Sequence, residues 1–273
     1  MKANPETILS LAARTATKIG SFDPEQDEVQ EIIRNQDHRY WRVLEDVFIK
    51  PIKPVQAPES RPCIEILRET PKPCDKRTAD EQVAGLGVMY EMLGWHLSTA
   101  GLMVPERRKG FDRLLVVDNM MTNNLGFEAC EASFPSRRYV NDLDIAIPTN
   151  ERHPSKNGIY VVWFRDRVEA DEELKDKSAD DIVMMGLRTI TLLERELFEL
   201  VHFMETGKHL DIQNWTLCSG SRNQDHRYWR VLEISDGSVP LAYWSGSRFR
   251  VLWCYRDDRL SSLRSREVVT LAP

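Results

Sequence analysis

Residues 191–207 constrain the fold most, because they contain the start, the buried face and the end of one helix. Thr191 and Glu194 form a capping box, in which each side chain satisfies a free N–H group at the helix start. Gly207 supplies the left-handed conformation that commonly ends a helix. The apolar residues between these ends share one stripe: Leu193, Leu197, Leu200, Val201 and Met204. We therefore predict a long amphipathic helix.

The opposite face of this helix is polar and carries Arg195, Glu199 and His202. We expect these side chains to be solvated, since a surface helix buries only its apolar stripe. An earlier capping box, formed by Thr78 and Glu81, predicts a second helix in the first half of the chain.

Strand-like patterns occupy much of the remaining chain. Before the long helix they lie at 113–117, 143–147 and 159–164, and the last is apolar on both faces, as in a central strand. From residue 214 onward only strand patterns occur, at 215–218, 228–234, 239–244, 248–255 and 266–271. The predicted fold class is α+β: helices with a mixed or antiparallel sheet, followed by a C-terminal antiparallel β-meander packed on a helix.

Three regions are predicted along the chain. Residues 1–62 contain N-terminal helices, a strand and a Pro-rich connector. Residues 63–213 form an α+β core, and residues 214–273 form a β region rich in Arg and Trp.

Composition narrows the class of protein. The chain has 273 residues, of which 41% are apolar and 29% charged, with a formal net charge of −6, as expected of soluble globular domains rather than of disorder. No apolar run approaches the roughly 20 residues of a membrane span, and no signal-peptide core follows the start. The five cysteines are far apart and form neither a disulfide framework nor a metal knuckle. We therefore predict a cytoplasmic protein without a membrane partner.

An exact repeat covers twelve positions, because residues 34–45 and 222–233 both read RNQDHRYWRVLE while their flanks differ. Architectural repeats diverge in their loops and keep their cores, so this abrupt identity excludes a solenoid. A recent duplication and the reuse of a segment in an engineered sequence both remain open. Without residues 225–235 the chain would read SRNQDGSVP, with Asp-Gly at the tip of a tight hairpin. We predict that the second copy is inserted into a turn.

The C-terminal third contains ETGKHLDIQNWTLCSGSR, then DGSVP, then LRSREVV. This succession resembles the end of a set of uncharacterised bacterial hypothetical proteins that carry TLC-x-GSR and DG-x-VP motifs. The resemblance implies a bacterial protein and transfers no activity. In that set the two motifs lie closer together, so the longer spacing here agrees with an insertion.

Asp142 and Asp144, within NDLDIAI, are the strongest enzyme-like signal. Positions i and i+2 of a strand point to the same side, so two carboxylates there could share one divalent cation. With Asp166 as a third ligand, the pattern resembles the D-x-D strand of nucleotidyltransferases, which implies Mg²⁺ or Mn²⁺ and two-metal chemistry. That family's Gly-Ser turn is missing, and residues 135–138 read PSRR instead. We favour the alternative, in which the aspartates are solvated on an amphipathic strand.

The region from residue 214 onward has nine arginines, no lysine and six acids, a net charge of +3. Arginines that alternate with aromatic rings on a sheet are typical of single-stranded nucleic-acid binders. The candidate residues are Arg230, Arg248, Arg250 and Arg256. Nucleic-acid domains are usually more basic, so we favour a small sheet whose aromatic residues form its own core.

Cys218 follows His209 and Asp211, a combination that could form a cysteine nucleophile. We interpret Cys218 as a small core residue instead, because it belongs to the apolar string WTLC. Residues 169–177 are predicted as a charged surface segment. The leading hypothesis is a non-catalytic binding or structural protein without a cofactor. Its rivals are the D-x-D metal enzyme and the nucleic-acid binder.

Overall fold

The computed structural model describes residues 73–223 and 237–271, which belong to one compact unit of the chain. The helices in these residues are α1 (Ala79–Met92), α2 (Asn123–Ser133), α3 (Leu143–Ala146), α4 (Pro154–Asn157), α5 (Ala179–Met184) and α6 (Leu192–Thr206). Short 3₁₀ turns lie at Cys74–Lys76 and Glu172–Leu174.

The strands of the same residues form three sheets. They are β1 (Arg113–Val117), β2 (Ser136–Arg138), β3 (Thr149–Asn150), β4 (Tyr160–Phe164), β5 (Trp215–Leu217), β6 (Ser221–Arg222), β7 (Val239–Ser245), β8 (Arg248–Cys254), β9 (Leu263–Arg264) and β10 (Val269–Thr270). One sheet is antiparallel with the order β1-β4-β10, and β3 pairs with β6. The largest is mixed, with the order β2-β8-β7-β5-β9. The predicted α+β class is therefore confirmed.

The central strand and both capping boxes agree with the sequence analysis. Strand β4 lies between β1 and β10, and residues 161–164 are buried. The hydroxyl of Thr78 accepts a hydrogen bond from the Glu81 N–H at the start of α1. Thr191 and Glu194 cap α6 in the same way.

Helix α6 organises the core, because it contacts α1, α2, β1 and β7. These neighbours surround most of the helix, so the apolar residue Leu197 and the polar residues Arg195 and Glu199 all have 0% exposure, and His202 has 8%. The expectation of a solvated polar face is therefore wrong. Burial also lowers the pKa of His202 to about 4, so this side chain is neutral at physiological pH.

The segment 143–147, expected to be a strand, is helical instead. The side chain of Asp142 accepts a hydrogen bond from the Ile145 N–H at 3.0 Å and so caps α3. Helix α2 was not predicted, because its sequence includes Gly126, a poor helix former. This glycine allows close packing on α6, since a Cβ atom there would lie 2.8 Å from the carboxylate of Glu196.

Several predicted features lie outside the described residues. They are the helices, strand and connector of residues 1–62, and the strand at 228–234 with Arg230.

Glu196 is the exceptional charged residue of α6. It has 0% exposure, and neither carboxylate oxygen has a hydrogen-bond partner in the part of the chain that the structure describes. Burial raises the pKa of Glu196 well above its usual value, and the nearby Asp144 carboxylate raises it further. Burial therefore favours the protonated form of this carboxyl in the folded protein.

Glu196→Gln should stabilise the protein increasingly as the pH rises. The unfolded carboxyl ionises near pH 4.3 and the folded one stays protonated, so the folded state binds more protons and wild-type stability falls with pH. This group lowers the unfolding free energy by about 1.4 kcal/mol per pH unit until the folded-state pKa is reached. Chemical denaturation between pH 4 and 8 measures the difference between variant and wild type, with the exposed Glu128→Gln as control. A difference that does not change with pH would contradict the prediction.

Backbone hydrogen bonds join Asn223 to Gly237 and Ser238. The Gly237 N–H donates to the Asn223 carbonyl at 3.1 Å, and the Asn223 N–H donates to the Ser238 carbonyl at 2.8 Å. Gly237 has a φ of +80°, which favours glycine. Asn223 and Gly237 are therefore adjacent in the fold.

Deletion of residues 225–235 should preserve the fold. The ends at Asn223 and Gly237 are already joined, and the remaining Asp-Gly pair supplies its own turn. We expect a cooperative thermal transition by circular dichroism, close to that of the full chain. Loss of cooperative unfolding would show that the deleted segment belongs to the core.

Candidate ligand-binding groove

An open groove of about 830 Å³ lies between the loop after β4, the loop before β5, and β9. Its charged lining residues are Arg167, Glu169, Glu172, Glu173 and Arg264. Residues 169–177 were predicted as a charged surface segment, and no motif there predicted a site. The groove does have a signal in the sequence, a stretch that mixes acidic and basic residues. Ordinary solvated loops show the same pattern, so this signal does not distinguish a binding site.

The groove floor is held by the carboxylate of Glu169. Its Oε1 accepts the backbone N–H groups of Ile212 and Gln213 at 3.1 Å each. Its Oε2 accepts the backbone N–H and the side-chain amide of Asn214 at 2.9 Å each. One carboxylate of the loop after β4 therefore fixes three successive residues of the loop before β5.

A buried arginine supports the floor from below. The guanidinium of Arg266, 1% exposed, donates to the carbonyls of Arg167 and Val168 at 2.9 and 2.8 Å. It also donates to the carboxylate of Asp211 at 2.7 Å. Asp211 accepts the Ala170 N–H at 2.9 Å and donates its own N–H to the Val168 carbonyl at 3.0 Å. Both loops are therefore bonded to the same ion pair.

Asp211 connects the groove to α6. The guanidinium of Arg195 donates to Asp211 at 2.9 Å and to Glu199 at 2.7 Å, and all three side chains are fully buried. The imidazole of His209 lies 2.9 Å from Glu199 through Nδ1 and stacks on Trp244 with ring centroids 3.3 Å apart. The polar residues of α6 thus position the groove loops from inside the core.

The groove rim consists of two arginine–glutamate pairs. Arg167 donates to both oxygens of Glu173 at 2.6 and 3.0 Å, and this bonding lowers the pKa of Glu173 to about 2. Arg264 pairs with Glu172. The side chains of Glu172 and Glu173 are 63% and 51% exposed, whereas Arg264 is 12% exposed. The carboxylates can therefore turn into solvent while Arg264 stays in place.

The three aspartates of the proposed metal site have separate partners. Asp142 accepts a hydrogen bond from the side-chain amide of Asn124 at 2.9 Å, and Asp144 accepts the N–H groups that start α2. Asp166 pairs with Arg113 at 3.0 Å. Within 73–223 and 237–271, no group of three or more His, Cys, Asp or Glu residues is arranged to hold a metal such as Mg²⁺ or Mn²⁺.

Of the arginines proposed to bind nucleic acid, the structure describes Arg248, Arg250 and Arg256. Arg250 is 7% exposed and donates to the Ser245 carbonyl at 3.3 Å, and Arg256 pairs with Asp180 at 2.9 Å. Arg248 is half-buried. The nearby rings of Trp215, Tyr243 and Phe249 are buried at 8%, 2% and 0% exposure. These three rings lie within the fold, whereas Trp244, Trp253 and Tyr255 are half-buried, so nucleic-acid binding through this sheet stays a prediction.

Cys218 is a core residue, as predicted. It has 0% exposure, and burial raises the pKa of its thiol well above the usual value. The reactive thiolate is therefore disfavoured.

No known protein family, curated protein or solved structure matches this chain. The resemblance of the C-terminal third to bacterial hypothetical proteins stays a prediction. In the described part of the chain, no helix is both long enough and apolar enough to cross a membrane.

Glu169→Gln should loosen the loop before β5, which carries residues 212–214. An amide has one acceptor oxygen where the carboxylate has two, so about half of the hydrogen bonds to residues 212–214 are lost. We expect amide hydrogen exchange in this loop to become about tenfold faster. Glu172→Gln is the matched control, because its carboxylate pairs with side chains of the rim. Equal exchange rates in both variants would show that Glu169 does not hold the loop.

Proposed function

We propose that the protein is a non-catalytic binding protein whose groove takes a small, charged organic ligand. The observation that carries this proposal is the rim, where Arg167 and Arg264 are paired with exposed carboxylates of one short turn. The pair of Arg167 and Glu173 is exposed on both sides, and such a pair is worth only about 0–1 kcal/mol, so a ligand can replace it at small cost. The groove volume of about 830 Å³ lies in the range of small-molecule sites, about 300–1,000 Å³.

Rigid support for the floor favours binding over a merely structural role. The loops are held by Glu169 and by the buried pair of Arg266 and Asp211. A ligand therefore meets a preformed surface and does not have to order these loops, which improves affinity. Only the two rim carboxylates have to move.

We also propose a cytoplasmic location. The described cysteines are free thiols, namely Cys74, Cys130, Cys218 and Cys254, and all are buried. Free thiols are typical of proteins in reducing compartments. Fractionation of the source cells would test this location.

A panel of charged small molecules should identify the ligand class by thermal unfolding. We would use succinate, putrescine, free amino acids and short peptides, and expect at least one class to raise the melting temperature by mass action. At one hundred times the dissociation constant, the gain is about 2.7 kcal/mol. The gain should be lost in Arg167→Gln.

Arg256→Gln is the control for that panel, since it breaks a similar exposed pair, with Asp180, outside the groove. This variant should respond as the wild type does. The proposal is wrong if no compound stabilises the protein, or if Arg167→Gln responds as strongly as the control.

A further inference from the structure

We propose that the groove ligand is a short peptide that carries one positive and one negative charge. The inference rests on the proposed function, because it specifies the ligand class for the same groove. It is carried by the balance of charges in the groove, by the unpartnered Nε of Arg264 and by the amide of Gln213 beside them.

The charges of the groove favour a ligand with both signs. Arg167 and Arg264 face three carboxylates, those of Glu169, Glu172 and Glu173. An anion that displaced Glu173 from Arg167 would stay close to the carboxylates it had displaced, and a cation would compete with both arginines. A ligand with both charges offers a new partner to each member of an opened pair, so no charge in the groove is left unpaired.

Arg264 provides the place for the negative end. Its guanidinium pairs with Glu172, yet its buried Nε has no hydrogen-bond partner among the residues that the structure describes. A carboxylate prefers to bind a guanidinium through two parallel hydrogen bonds. A ligand carboxylate that binds Nε and a terminal nitrogen would satisfy this atom. The released Glu172, and Glu173 beside it, then face the positive end of the ligand.

The remaining lining favours a peptide over a simple amino acid. Gln213 and Asn214 line the groove; the Asn214 amide is bonded to Glu169, whereas the exposed Gln213 amide offers the donors and the acceptor that peptide groups require. The groove volume of about 830 Å³ is large for a single small amino acid but suits several residues. The exposed Gln213 can therefore bond to the backbone of a bound peptide between its two charged ends.

Four forms of one tripeptide separate the contributions of the charges. They are triglycine, N-acetyl-triglycine, triglycine amide and N-acetyl-triglycine amide, measured by isothermal titration calorimetry with the full chain. We expect triglycine to bind at least about tenfold more tightly than either singly blocked form, and added salt to weaken its binding. The inference is overturned if a singly charged form binds as tightly as triglycine, or if the tripeptides fail to bind while another class of the panel binds. If no compound of either set binds, the proposed function fails as well.

Two groove variants should change selectivity in opposite directions. Arg167→Gln removes a positive charge. We therefore expect the affinity for triglycine amide, the cationic form, to rise about fivefold relative to the affinity for N-acetyl-triglycine, the anionic form. Glu173→Gln removes a negative charge and should shift the ratio about fivefold toward N-acetyl-triglycine, the anionic form. Arg256→Gln and Asp180→Asn, which break the matched pair outside the groove, should leave the ratio unchanged. Shifts of both groove variants in the same direction would overturn the inference, since a loss of folding alone would not reverse with the sign of the charge removed.

Discussion

The buried cluster of Arg195, Asp211 and Arg266 is the interaction on which both the core and the groove depend. Asp211 is fully buried and binds both guanidinium groups, one from α6 and one from the segment before β10. Removal of one member of such a buried set costs about 3–5 kcal/mol, because the others keep uncompensated charges. The same carboxylate also accepts the Ala170 N–H, so it fixes the loop that carries Glu169. Core packing and groove geometry are therefore coupled through one side chain.

Helix α6 shows how two kinds of buried charge differ in their consequences. Arg195 and Glu199 have partners with defined directions, so their burial fixes how the helix is rotated relative to the groove loops. Glu196, the residue after Arg195, faces Gly126 of α2. Its carboxylate oxygens have no hydrogen-bond partner among the described residues. Its burial allows the close approach of the two helices but makes stability depend on pH. The helix therefore combines one face that positions the groove loops with another, packed on α2, that favours the neutral form of Glu196.

Sequence reasoning identified elements that local chemistry determines. The capping boxes at Thr78 and Thr191 and the all-apolar strand β4 follow from neighbours in the chain, and the structure confirms them. The strand expected at 143–147 was wrong, because Asp142 acts there as a helix cap. The solvated face of α6 was wrong for a tertiary reason: Arg195 is bonded within the helix to Glu199 and also to Asp211, which lies beyond the helix. No local pattern in the sequence shows that a charged residue has such a distant partner.

The ion pairs of the candidate groove also include both local and distant partners in the sequence. Its rim pairs join residues close in sequence, such as Arg167 and Glu173, and also distant ones, such as Glu172 and Arg264. The loops under the rim are held by buried groups that cannot move without loss of core bonds, whereas the rim carboxylates are exposed and free to turn. The loops therefore keep their positions while the rim arginines exchange a carboxylate of the protein for a charged group of a ligand. For this reason we propose binding in the groove rather than a role for these charges in stability alone, since an exposed pair such as Arg167 and Glu173 contributes little to stability.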